Sequence, residues 1–202
     1  MKQELVDVAI RLFGEQGFDA TSTRQIASVA GTNMSNITYH FGGKEGLYLA
    51  AGQEILERLT TVLNEKPVAT LEPGATRSEA LSLIDQVVEN MGGFMLRDGV
   101  APMARFIARE HDDPSSEFGT LLRAIVHKLG AKMSTAIAVL RPDLSADQCR
   151  HKAFFIYAMI TGLRNGRAPL CAIAEVPSID NERGQALLND LKDSVRDMLG
   201  QA

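Results

Sequence analysis

Residues 22–30 read Ser22-Thr23-Arg24-Gln25-Ile26-Ala27-Ser28-Val29-Ala30, a turn follows as Gly31-Thr32-Asn33, and Met34-Ser35-Asn36-Ile37-Thr38-Tyr39-His40-Phe41 runs on to residue 41. Ile26, Ala27, Ala30 and Ile37 supply an inner apolar face across the two segments, and Ala30 is small enough to let two helices approach. Ser22 stands three residues before Gln25, the spacing of a helix-starting capping box. Gly31 suits a tight turn because it lacks a Cβ, and Asn33 is a good N-cap for the second segment. The pattern predicts two short helices in helix-turn-helix spacing. Outward from it, Leu12 and Phe13 on one side, with Phe41 and Leu47 on the other, complete a small three-helix core.

Charge adds an independent signal. From Ala20 to Lys44 there are 25 residues without an Asp or Glu, in a chain where 25 of 202 residues are acidic and about three would be expected. A surface that faces phosphates needs that absence. Arg24, Tyr39, His40 and Lys44 remain as donors, beside Thr21, Ser22, Thr23, Ser35, Asn36 and Thr38. The residues by themselves also fit a neutral helical hairpin with polar solvent faces.

The rest of the chain is helical in its periodicity, with no sustained two-residue alternation. Helices are expected at 3–17, 22–30, 34–41, 44–65, 76–97, 101–111, 114–140, 145–165 and 181–199, about nine in an all-α fold. Thr76 with Glu79 and Ser145 with Gln148 repeat the capping-box spacing, and Asp113-Pro114 reads as a cap followed by a first-position proline. The segments 66–75 and 166–180 read as the loosest connections. Residues 1–47 are expected to form the helix-turn-helix domain and 48–202 a larger helical domain.

With 45% hydrophobic and 23% charged residues the chain can bury a core, which excludes disorder. Its net charge of −4 argues against a protein that coats polyanions, while leaving room for a local basic patch. Cys149 and Cys171 have neither metal nor disulfide-framework spacing and suit a reduced cytoplasm. No stretch approaches the ~20 apolar residues of a membrane span, and the first residues lack a signal-peptide pattern. The expectation is a soluble cytoplasmic protein without a membrane partner, a metal or another cofactor.

Thr23-Arg24-Gln25-Ile26-Ala27, Ala30-Gly31, Ile37-Thr38-Tyr39-His40-Phe41 and Lys44-Glu45-Gly46-Leu47-Tyr48 resemble the N-terminal signature of the TetR (tetracycline-repressor) family. The resemblance covers about residues 3–50. It implies a homodimeric, ligand-responsive transcriptional regulator, usually a repressor, that binds double-stranded operator DNA. No nucleophile motif, phosphate-binding Gly loop or pair of catalytic carboxylates stands out, so no enzymatic activity is expected. Thr32 stands where the family usually carries an aliphatic residue, and Gly42-Gly43 replaces a more polar pair. By position, Arg24 resembles a base contact, while Met34, Ser35, Asn36 and Thr38 occupy groove-facing turns. Thr23, Tyr39, His40 and Lys44 resemble phosphate contacts. The chemistry agrees, since Arg can bind guanine and Asn adenine in bidentate fashion. Farther on, Ala104-Arg105-Phe106-Ile107-Ala108-Arg109-Glu110 and the residues through Pro114 resemble a subgroup linked to drug-export and antibiotic-susceptibility genes.

In the larger domain Met103, Phe106, Ile107 and Glu110 follow helical spacing, which places a carboxylate on an apolar face. Such a group must be paired, protonated or bound to something. It serves either as an internal salt link, to Arg109 or another arginine, or as a contact for an unknown small-molecule effector. Met91, Met95, Met103, Phe106, Met133 and Met159 read either as core or as the wall of an apolar effector pocket. Gly92-Gly93 marks a kink or a close helix crossing. His111-Asp112-Asp113 superficially resembles a metal cluster but lacks a complete ligand set. Leu187, Leu191, Val195 and Met198, with Ala153, Tyr157, Ile160 and Arg164, are expected to face a second subunit in a four-helix bundle. The alternative to an effector-released regulator is a DNA binder that is constitutive or responds to a protein.

Overall fold

The computed structural model describes residues 1–65, 68, 70–111 and 116–200. Among them lie ten helices: α1 (Lys2–Gln16), α2 (Thr23–Val29), α3 (Met34–Phe41), α4 (Lys44–Glu65), α5 (Arg77–Leu96), α6 (Val100–His111), α7 (Glu117–Leu140), α8 (Ala146–Asn165), α9 (Arg167–Ile173) and α10 (Asn181–Met198). No strand occurs among the described residues. The tenth helix is α9, inside the connection 166–180 that the sequence presents as loose. Pro169 is its third residue, within the first turn, where no intrahelical bond needs the missing N–H.

Hydroxyl and amide caps start several helices at the expected places. Ser22 accepts from the Gln25 N–H at 3.1 Å and Asn33 from the Asn36 N–H at 3.2 Å. Thr76 with Glu79 and Ser145 with Gln148 form reciprocal capping boxes. For α7 the expected start at Pro114 lies outside the described residues, as do Asp112 and Asp113, and the described helix begins at Glu117. There the Ser116 hydroxyl accepts from the Gly119 N–H at 3.1 Å.

Two compact units make up the chain. The first contains Met1–Thr61 and Gly99–Ala124, so it continues past residue 47. Within it α1 packs along α6, and α2 packs on α1 and α3. A three-helix unit has too little apolar area to be comfortable alone. Here it shares a core in which Leu5, Phe13, Ile26, Ile37, Leu47, Ile55 and Phe106 are fully buried, each contributing roughly 1.5–3 kcal/mol. Tyr48 stacks on Phe106 with centroids 4.7 Å apart and meets Phe13 edge-on at 4.9 Å.

The second unit contains Val62–Asp98 and Ile125–Ala202. In it α5 packs against α8 and α10. A Cβ on Gly92 would lie 2.5 Å from a Leu188 methyl, so this glycine marks a close crossing of α5 and α10. Leu188, Leu191 and Val195 are buried. Arg196 bridges Asp85 at 2.7 Å and Lys192 pairs with Glu89, tying the same two helices together.

The stripe expected to face a second subunit is therefore largely internal. Leu191 and Val195 are buried within the chain, as are Ala153 and Ile160 of α8. Arg164 donates to the carbonyls of Met95 at 2.6 Å and Arg97 at 2.5 Å, satisfying the C-terminal end of α5. The face α8 leaves open carries Phe154, 62% exposed, and Phe155, 51% exposed, with Ala158 and Gly162 beyond. A long helix with several apolar faces does not reveal from periodicity which one its own chain will cover.

No helix among the described residues is long and apolar enough to cross a membrane.

Candidate nucleic-acid interface

The geometry of the reader follows from its short helices. With only seven and eight residues, α2 and α3 each have one face to bury, filled by Ile26, Ala27 and Ile37. The other side chains on them are exposed or half-buried. Gly42 ends α3 at φ 76°, ψ 1°, the left-handed position a glycine adopts without strain, and its N–H bonds the Thr38 carbonyl. Two residues later α4 starts. A Cβ on Gly46 would stand 1.7 Å from the Phe41 carbonyl oxygen, so α3 and α4 meet closely only because residue 46 has no side chain.

On this frame Arg24, Met34, Ser35, Thr38 and Tyr39 are exposed, Tyr39 at 83%. Thr23 is half-buried, its hydroxyl 3.9 Å from the Met34 sulfur. His40 is half-buried and meets the Tyr39 ring edge-on at 4.9 Å. Lys44 is held at the edge of the surface, with Nζ 4.2 Å from the Phe18 ring centroid and 3.4 Å from the Asp19 carbonyl. A cation over an aromatic face gains about 0.5–1 kcal/mol at such a site, enough to orient the ammonium while leaving its charge outward.

Two residues depart from the sequence-based picture. Thr21 is buried, with its hydroxyl bonded to the Gly17 carbonyl at 2.7 Å and the Leu12 carbonyl at 3.2 Å, and is a fastening between α1 and α2. Asn36 is half-buried rather than fully outward, because its side-chain NH₂ donates to the Thr32 hydroxyl at 2.6 Å. The sequence points to no contact role for Thr32 and does not single out Phe18 or Lys2, whose ammonium lies 5.8 Å from the Phe41 centroid. Only Thr32 had left a signal, as an unusual residue in the turn.

The residues singled out for an effector divide between the units. Met103, Phe106 and Glu110 belong to the first, and Met91, Met95, Met133 and Met159 to the second. Met95, Met103, Phe106 and Met133 are buried; Met91 and Met159 are half-buried. Glu110 is buried, as its place on the apolar face of α6 requires. Its partners among the described residues are hydroxyls rather than an arginine: Tyr48 donates to Oε1 and Ser116 to Oε2. Arg109 turns instead to the last carbonyls of α1, at Gly14 and Glu15. In the second unit Val126, His127, Gly130, Ala131, Met133 and Ser134 of α7 and Arg150, Ala153, Phe154 and Tyr157 of α8 line a cleft of about 460 Å³. Burial raises the Tyr157 hydroxyl pKa above its ordinary value.

The family described as "Bacterial regulatory proteins, tetR family" matches residues 5–51. The HTH-type transcriptional dual regulator CecR of Shigella flexneri is 33% identical over 141 residues, 68% of this chain and 63% of that protein. The chain thus matches less than two thirds of that relative's length. The HTH-type transcriptional regulator BetI of Brucella canis is 29% identical over 162 residues, 80% of this chain and 77% of its own. Among solved structures, a TetR-like transcriptional regulator from Rhodococcus sp. RHA1 is similar at a TM-score of 0.69, covering 98% of this chain and 95% of that one at 16% identity, which shows the shared fold.

Proposed function

Because the chain belongs to the TetR family of bacterial regulatory proteins, whose members are DNA-binding transcriptional regulators and not enzymes, we propose that it binds a palindromic operator as a homodimer and represses transcription until a small apolar or amphipathic molecule releases it. The observation that carries this reading is the exposed reader surface free of carboxylates from residue 20 to 44, with Arg24, Ser35, Thr38 and Tyr39 outward. Arg24 reads a base edge, and Met34 and the Thr38 methyl meet thymine methyl groups. Thr23, Tyr39, His40 and Lys44 hold phosphates and fix register. One reader covers too little DNA for specificity. Two copies related by a two-fold axis engage major-groove sites about 34–36 Å apart.

The exposed face of α8, with Phe154, Phe155, Ala158 and Gly162, is the surface best suited to pair with its copy. For an effector, the cleft between α7 and α8 has the required chemistry. Its volume lies within the usual range of roughly 300–1,000 Å³, its walls are apolar, and His127, Arg150 and Tyr157 can orient a polar end.

Selection of operators from a random duplex library, followed by affinity measurements over a salt series, tests the reading. Expected are a two-fold symmetric consensus and affinity falling steeply with salt. Recovery of unenriched sequences overturns it. A thermal-shift screen of drugs and metabolites, followed by operator release, tests the effector.

A further inference from the structure

Asn36, the third residue of α3, lies in the first turn of the helix expected to read bases, yet its amide is engaged within the chain. The NH₂ donates to the Thr32 hydroxyl at 2.6 Å, and Met1 Sδ stands 3.7 Å from the same nitrogen. The Thr32 hydroxyl is 3.8 Å from that sulfur, toward which it donates, which leaves its lone pairs for Asn36. Two acceptors therefore face Nδ2, and Oδ1 is the polar atom of the amide left for a partner. An asparagine recognises adenine in bidentate fashion only when Oδ1 accepts from N6 and Nδ2 donates to N7. With Nδ2 occupied, the side chain offers one acceptor, which suits the exocyclic amine of adenine or of cytosine alike.

Resting on the DNA-binding reading above, we infer that Thr32 is a specificity-determining positioning residue: it holds the Asn36 NH₂ in the helix-turn-helix turn, so that Asn36 reads an exocyclic amine and accepts adenine and cytosine at one base pair of each half-site. Thr32 itself touches no base. It acts through the direction of the amide, and its hydroxyl is the group that matters. Neither the methyl group nor the backbone enters the hydrogen bond, so valine at this position keeps the shape and removes only the lock.

The test compares wild type, Thr32→Val, Thr32→Ser and Asn36→Ala by half-site selection, and by anisotropy on duplexes differing at the one affected base pair. Thermal melts confirm that each variant folds. Thr32→Val is expected to free Nδ2 and raise the preference for adenine over cytosine at that pair by about fivefold or more. Thr32→Ser, which keeps the hydroxyl, should retain the wild-type tolerance. Asn36→Ala should lose the preference for an amine-bearing base, and adding Thr32→Val to it should change nothing further. Identical base preferences in wild type and Thr32→Val overturn the inference, as does a Thr32→Val shift that persists without Asn36. Those outcomes leave operator binding itself standing. A wild-type chain that selects no sequence at all removes both.

Discussion

The chain presents two surfaces of opposite character. On α2 and α3 the exposed groups are an arginine, hydroxyls, a phenol and the apolar Val29 and Met34, with no carboxylate from residue 20 to 44. On α8 the open face is aromatic and small, with Phe154 and Phe155 more than half exposed, while α10 turns Glu182, Asp190, Asp193 and Asp197 to solvent. The first surface suits a polyanion and the second suits an apolar partner. All the acidic residues lie outside residues 20–44, so a net charge of −4 coexists with a local surface free of carboxylates. The two also differ in what supports them. The reader depends on backbone approach at Gly46, whereas α5 and α10 depend on side-chain packing around Gly92.

That difference is broken most severely at Gly46. Gly46→Ala forces a Cβ against a backbone oxygen that no rotamer change can move, and stability should fall by about 3 kcal/mol or more. A chemical melt with loss of operator binding checks it. Gly92→Ala meets only a leucine methyl that can rotate, so the expected cost is smaller, about 1–2 kcal/mol. Equal losses at the two sites would contradict the contrast.

Next in size is a pair of charge insertions. Leu191 is buried between helices of its own chain, so Leu191→Glu should destabilise the subunit by about 3 kcal/mol and lower Tm whether or not a dimer forms. Phe154 is exposed, and Phe154→Glu should lower Tm far less than Leu191→Glu does while sedimentation shifts toward monomer. An intact Phe154→Glu dimer at micromolar concentration would remove α8 from the proposed pairing surface.

Smaller effects sharpen the reader. Lys44→Ala should weaken every duplex similarly and reduce the salt slope by about 1, because one phosphate contact is lost. Arg24→Ala should instead relax preference at particular base pairs, at about 1–3 kcal/mol. Smallest of all, Gly93→Ala should stabilise by up to about 1 kcal/mol, since a Cβ there meets open space and alanine favours the helix. A melt distinguishes that gain from the loss expected at its neighbour.

The reader was legible in the sequence because its elements are short. Ser22 and Asn33 fix where α2 and α3 begin, and one buried face leaves little choice for Ile26 and Ile37. The longer helices offered more than one solution. The α10 periodicity identified Leu191 and Val195 as apolar without saying that α5 covers them. For α6, the same kind of pattern placed Glu110 inside, but its hydroxyl partners Tyr48 and Ser116 come from residues far apart in sequence or beyond the helix end. The segment 166–180 reads as loose because local composition does not show that Pro169 falls in the first turn of a helix, where α9 tolerates it. The sequence places Asn36 on a groove-facing turn, but its hydrogen bond to Thr32 needs the actual turn geometry.

Amide hydrogen exchange, with and without a selected operator duplex, addresses the central claim most directly: that DNA engages the carboxylate-free surface of α2 and α3. The account predicts protection concentrated in residues 22–44 on adding DNA, lost as salt rises, with the α8 face around Phe154 and Phe155 unchanged. Protection that appears on α8 or α10 and leaves residues 22–44 exchanging as in the free protein would contradict it.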